Sequence, residues 1–170
     1  MDDSIKWRVP KSKVTTFFNA VTLVSFIVAI CYAIIIYPKL PDEIPVHFNL
    51  HGEADGWGGK GAIFMFPLAI GPILILAYVI GKYSHFLHSG KLTEADKNRY
   101  IHLSQNIAMI NAVIGLTLVY MVWMIKRNAY HLTAFEPWSF YIIIGALVII
   151  TVRLIIQSGR WKNKRRKIDT

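Results

Sequence analysis

Four long apolar blocks, at about residues 17–37, 62–81, 103–125 and 138–157, leave this chain few ways to fold. Each is close to the ~20 apolar residues that a helix needs to cross a bilayer core. They are apolar all round rather than along one stripe, so in water each helix would have to be wrapped on every side. The charged fraction is 17%, below the ~25% usual in soluble chains. The blocks consume so much of the 170 residues that no separate soluble domain can be built from the rest. The expected fold class is therefore an all-α polytopic membrane protein, one membrane domain over residues 1–170. It has four transmembrane helices and an ordered polar extracytoplasmic loop, 38–61, between the first two.

Charge sets the expected orientation. The net charge of +9 would suggest nucleic acid in a soluble protein, but here its position explains it and no nucleic-acid partner is expected. Lys6, Arg8, Lys11 and Lys13 precede the first block, Lys82, Lys91, Lys97 and Arg99 lie in the loop 82–102, and six more basic residues crowd the tail 158–170. The opposite side holds only Lys39, Lys60, Lys126 and Arg127. The excess of basic residues on cytoplasmic segments places both termini and loop 82–102 in the cytoplasm, with 38–61 and 126–137 outside. Tyr37, Tyr120, Trp123 and Tyr130 gather near the outer ends, and Tyr83 and Tyr100 near the inner ones, as interfacial rings do. The tail Arg160-Trp-Lys-Asn-Lys-Arg-Arg-Lys167 is expected to attract anionic lipid at about 1 kcal/mol per basic residue. Cys31 stands alone inside the first block, so no disulfide or thiol–metal motif is available within the chain. The first block is too long for a cleavable signal and lacks a small-x-small site after it.

Small and polar residues mark the expected inward faces. At 100° per residue, Asn19, Thr22, Ser25, Ala29 and Ala33 share a sector of the first block, and Ser104, Ala108, Asn111 and Gly115 share one of the third. Ser139, Ala146, Arg153 and Gln157 do so in the fourth. Arg153, the one charge inside a block, either snorkels to the headgroups or joins Asn19 and Asn106 in an intramembrane polar cluster. Gly71-Pro72 sits mid-way along the second block, where proline removes a backbone hydrogen bond. That bend, with His85 and His88 on one helical face beyond it, gives a route by which an outer event could reach a cytoplasmic protein partner.

The segment Leu40-Pro-Asp-Glu-Ile-Pro-Val-His-Phe-Asn-Leu-His-Gly-Glu-Ala-Asp-Gly-Trp-Gly-Gly-Lys60 is richer in function-bearing groups than a connector needs. Val46 to His51 alternates strictly, which predicts a short extended segment with His47, Asn49 and His51 on its polar face. The glycines at 52, 56, 58, 59 and 61 are expected at turns with positive φ, with Glu53, Asp55 and Lys60 riding on them. Asp55 could cap the amides of the following Gly-Trp-Gly-Gly in the Asx manner. Three chemistries compete: a metal site from His47, His51, Glu53 and Asp55, acid–base catalysis by a histidine and a carboxylate, and a structured cap or recognition loop. The ligand-binding or loop-structuring candidates are His47, Asn49, His51, Glu53, Asp55, Trp57 and Lys60. No catalytic residue, metal ligand or cofactor is assigned.

The pattern Leu40-Pro-Asp-x-Ile-Pro-x-His47-Phe-Asn49-x-x-Gly52-x-Ala-Asp55-x-Trp57-Gly-x-Lys60, directly after a first span, resembles the uncharacterised membrane domain at the front of SdpI-type bacterial immunity proteins. The resemblance covers roughly residues 18–82, and the later blocks match only as hydrophobic helices. It implies a bacterial cytoplasmic-membrane protein without established catalytic chemistry. SdpI itself protects a cell from a secreted peptide toxin and, with toxin present, holds a small repressor at the membrane. The expected role is thus immunity or sensing of an extracellular ligand such as a peptide toxin through loop 38–61. The alternatives are an accessory subunit of a membrane complex and a metal-dependent membrane enzyme using His47, His51 and Asp55.

Overall fold

A computed structural model of the chain describes residues 9–10, 12–49, 53–87 and 93–130, together with helical residues 142–143, 145–146, 148–150 and 152–153. Within them lie three long helices, α1 (Lys13–Ile36), α2 (Met65–Tyr83) and α3 (Glu94–Ala129), and a hairpin of strands β1 (Glu43–Phe48) and β2 (Ala54–Gly59). Short 3₁₀ turns at Tyr37–Lys39, Lys60–Phe64 and Ser84–Leu87 join them. The stretches Lys13–Lys39, Lys60–Phe86 and Asp96–Ala129 are each long and apolar enough to cross a membrane. Of the expected fourth span, only the scattered helical residues above are described. The outer loop from 131 and the tail 158–170 lie outside the described residues.

The helix ends follow local chemistry. Ser12 caps α1, its Oγ accepting from the Thr15 amide at 3.1 Å. Thr93 and Asp96 form a reciprocal capping box at α3, which satisfies donors that a helix start otherwise leaves open. Glu94 and Asp96 in the first turn of α3 and Lys126 and Arg127 in its last complement the helix dipole. This helix runs to 36 residues, well past the expected 103–125, because the cap at Thr93 draws residues 94–102 out of the expected cytoplasmic loop. Helix α2 continues through Pro72, which leaves the Leu68 carbonyl without its usual helical donor.

Most of the expected inward faces of α1 and α3 are buried, with Asn19 and Thr22 half-buried, while Ser139 and Gln157 of the fourth stripe lie outside the described residues. Ser25, Ala29 and Ala33 on α1 and Ser104, Ala108, Asn111 and Gly115 on α3 are all buried. A Cβ at Gly115 would lie 3.3 Å from Ser25 Cβ and 3.4 Å from the Thr22 carbonyl oxygen. The lack of a side chain at position 115 eases this close approach of the two backbones, the means by which helices associate where water does not drive them together. Asn111 donates its Nδ2 to the Leu74 carbonyl at 3.2 Å, tying α3 to α2. The outward faces are apolar: Phe17 and Leu23 on α1 are 62% and 61% exposed, and Leu68 and Ile75 on α2 are 69% and 66% exposed. Apolar exposure of this extent is unusual on a water-facing surface and suits a lipid surround.

The expectation of an all-α fold needs one correction. The polar insert is a two-stranded antiparallel sheet, pairing Glu43 with Gly59, Ile44 with Gly58, Pro45 with Trp57, His47 with Gly56 and Phe48 with Ala54. Backbone amides and carbonyls at the membrane edge need partners, and strand pairing supplies them within the insert. The register skips Val46 on β1 and Asp55 on β2, so each strand carries one bulged residue.

Candidate functional site: a hairpin seated on one end of the bundle

The root of the hairpin is apolar. Ile44 is fully buried, in one core with Leu40 before it, Ile63 after it, Ala33 and Ile36 of α1 and Leu118, Val122 and Ile125 of α3. The adjacent Pro45 is also buried. Two buried neighbours, Ile44 and Pro45, interrupt the in–out alternation of a regular strand just before the alternating segment that begins at Val46. The bulge at Val46 restores it, leaving Val46 partly buried and turning His47 outward.

Two clasps hold the hairpin, one at its base and one toward its tip. At the base Lys60 donates its amide to the Asp42 carbonyl at 2.9 Å and its Nζ to the Asp42 carboxylate at 2.9 Å. The Lys60 Nζ also lies 5.8 Å from the centre of the Tyr37 ring. Toward the tip, the Asn49 amide donates to the Glu53 carbonyl at 2.9 Å, the Glu53 amide to Asn49 Oδ1 at 3.0 Å, and Asn49 Nδ2 to Glu53 Oε2 at 3.0 Å. Between the clasps, the bulge at Asp55 brings its Oδ1 to 2.5 Å from His47 Nδ1. A carboxylate can only accept, so Nδ1 carries the proton and Nε2 is the ring nitrogen left to meet something else. The two side chains are 72% and 43% exposed, so the pair is open to solvent. Trp57 is exposed on β2.

The structure therefore brings His47 to Asp55, Asn49 to Glu53 and Lys60 to Asp42; His51 lies outside the described residues. Two expectations need correction. First, no described glycine of the insert has positive φ. Gly56 serves close approach instead, since a Cβ there would stand 2.8 Å from His47 Cβ, and one at Gly58 would stand 3.2 Å from Val46 Cγ1. Second, Asp55 lies in a strand and bonds His47 across the sheet, rather than capping a turn at 56–59. Of the expected intramembrane group, Asn106 is buried, Asn19 is half-buried and Arg153 is exposed, and most residues around Arg153 lie outside the described ones. A guanidinium on a long apolar stem can reach the polar boundary by itself. Similarly His85, expected on a presented face, is buried with its ring 4.3 Å from that of Phe86.

Sequence reasoning missed Asp42 and the anchors Ile44 and Ile63. Only the spacing of Asp42 and Lys60 at the two ends of the insert could have signalled the basal clasp. Among the described residues, no three His, Cys, Asp or Glu side chains converge as a metal would require. An oriented imidazole next to a carboxylate is equipped to hold a polar or charged ligand.

Fold and site together define a membrane-type helical protein that carries a small polar hairpin at one end of its bundle. Residues 24–71, from mid-α1 through the hairpin to mid-α2, match the model of a domain of unknown function, DUF1648. No curated protein and no solved structure matches the chain.

Proposed function

We propose that this chain is a four-span membrane protein of SdpI-like type, in the bacterial cytoplasmic membrane with both termini inside, whose hairpin meets an extracellular ligand in immunity or sensing. The ligand class is a secreted cationic peptide. One observation carries the reading: the exposed His47–Asp55 pair sits on a clasped hairpin whose root, Ile44, is fully buried. A polar surface held in this way is already organised for a ligand and loses little entropy on binding. Segment 38–61 carries Asp42, Glu43, Glu53 and Asp55 against Lys39 and Lys60, which suits a positively charged partner. The stretch that matches the family model includes the whole hairpin, so the reading attaches to the matched part of the chain.

Orientation is tested in a Cys31→Ser background with single cysteines at Glu53 and Glu94. On intact cells an impermeant thiol reagent should label position 53 and spare 94; the reverse pattern overturns the topology. Function is tested by challenging cells that express the chain with a panel of secreted cationic peptides. Protection by at least one peptide, lost in Asp55→Ala at equal membrane abundance, is the expected result. Equal survival of wild-type and empty-vector cells across the panel, with no binding to the purified protein, overturns the ligand class.

A further inference from the structure

The end of the bundle opposite the hairpin holds two cavities that meet. One, about 500 Å³, lies between α1 and α2 against Phe26, Gly71, Leu74 and Ile75. The other, about 610 Å³, lies between the helix ends and is lined by Lys82, His85, Thr15, Thr16 and Ser104 among others. Asn19 and Tyr78 line both, so the two are neighbours that together make a cleft along α1 and α2. Its inner branch is almost wholly apolar, and its outer branch is mixed, with polar groups set among apolar ones.

The charge in the outer branch is one-sided. The Lys82 Nζ lies 5.7 Å from the centre of the Tyr78 ring and 5.0 Å from that of Tyr83, and both tyrosines line this branch. Attraction to the two ring faces holds the ammonium at the mouth. Among the described residues that line it, none is a carboxylate. The described wall therefore supplies a cation and threonine and serine hydroxyls, while the His85 imidazole nitrogens are turned inward and buried.

The dimensions suit one kind of occupant. Gly71 and Lys82 lie on the same helix, and at 1.5 Å per residue they are separated by about 16 Å along its axis. One leaflet occupies about half of a ~30 Å hydrocarbon core, or ~15 Å. The cleft thus runs from headgroup level to mid-membrane with its polarity changing in the same order as a phospholipid's.

We propose that this cleft binds an anionic phospholipid, its phosphate at Lys82 and the Thr15/Thr16 hydroxyls and one acyl chain between Phe26 and Ile75. The site rests on the membrane reading of the chain and is independent of what the hairpin binds. Lipid seated there joins α1 to α2 where protein leaves a gap, and its headgroup lies against the Ser84–Leu87 turn that leads toward α3.

The test is native mass spectrometry of the full chain released from nanodiscs containing equal phosphatidylglycerol and phosphatidylcholine. Retained phosphatidylglycerol should exceed phosphatidylcholine, and Lys82→Gln should reduce that excess about fivefold, the effect of one basic residue at a membrane surface. Ala20→Trp, which fills the apolar branch from its exposed rim, should reduce retention of both lipids while the protein keeps its helical circular dichroism. Equal retention of the two lipids by the wild type overturns the proposal. So does loss of bound lipid to millimolar inorganic phosphate, which would make it a phosphate site. A high-yield disulfide in cells between cysteines placed at Ala20 and Ala146 would assign the cleft to the fourth apolar segment and overturn it as well.

Discussion

The two ends of the bundle are built from the same helices and close in opposite ways. At the hairpin end, Ile44, Ile63, Leu118 and Val122 are all fully buried in one dry core. At the other end, α1, α2 and α3 leave between them the outer branch of the cleft, about 610 Å³. Both ends draw on apolar stretches of α1 and α2, although the cleft end also carries Thr15, Thr16, Asn19 and Lys82. The hairpin end has an extra layer, β1 and the Lys60–Phe64 turn, whose side chains enter between α1 and α3. The other end has the short Ser84–Leu87 turn in that place. A helix bundle in lipid gains little from apolarity as such, because lipid solvates its faces equally well. Closure therefore depends on whether some element supplies side chains shaped for the gap.

That comparison is open to breakage by substitution, and the largest effect is expected at the hairpin root. Ile44→Ala should lower stability by about 2–5 kcal/mol, the range for truncating a fully packed aliphatic residue, measured by denaturant titration in mild detergent. Leu76→Ala, at an exposed position of α2 that lines neither cavity, should stay within about 0.5 kcal/mol. Equal losses at the two sites would mean that the ends are not packed differently.

Next in size is the helix crossing that both ends share. Gly115→Leu should cost about 1–3 kcal/mol through overpacking against Thr22 and Ser25. A cross-link between cysteines placed at Ala29 and Leu118, which share the buried core, should form less readily in that variant, since α1 and α3 must separate. Unchanged stability would remove the close crossing from the account. Smaller again is Asn111→Ala, which deletes the bond to the Leu74 carbonyl. About 0.6 kcal/mol is expected, the mean for hydrogen bonds between membrane helices, read from the same denaturant titration.

The smallest stability effect belongs to the candidate site. His47→Ala should change stability by less than about 0.5 kcal/mol, because exposed pairs of this kind contribute little. It should nonetheless abolish ligand-dependent protection. A large loss of stability in its place would make the His47–Asp55 pair a structural part of the hairpin, and the contrast between a rigid root and a functional surface would fail.

Much of this architecture is legible in the residues alone. Window-length hydrophobicity is a local property, and it locates α1, α2 and most of α3. The buried positions Ser25, Ala29, Ala33, Ser104, Ala108, Asn111 and Gly115 follow from 100° periodicity and the need of lipid-embedded helices for small residues. His47, Asn49, Glu53, Asp55 and Lys60 are legible as a group, because polar side chains between apolar blocks have no packing reason to be there. Their partners are less so: Lys60 and Asp42 are 18 residues apart and meet only when the hairpin closes.

Tertiary structure decides the rest. Strand β2, Ala-Asp-Gly-Trp-Gly-Gly, has a composition that disfavours strands, and nothing local marks it as one. Its glycines become an advantage only opposite His47 and Val46, where a side chain would collide. The bulges at Val46 and Asp55, which turn His47 outward and bring the carboxylate to it, arise from fitting that strand to a β1 whose Ile44 is buried between helices. The lipid-shaped cleft is likewise a relation between α1, α2 and the start of α3. The sequence determines which segments leave water and which faces are small enough to meet. Which side chains face one another across the hairpin and the cleft depends on contacts between distant segments, and periodicity within one segment carries no information about them.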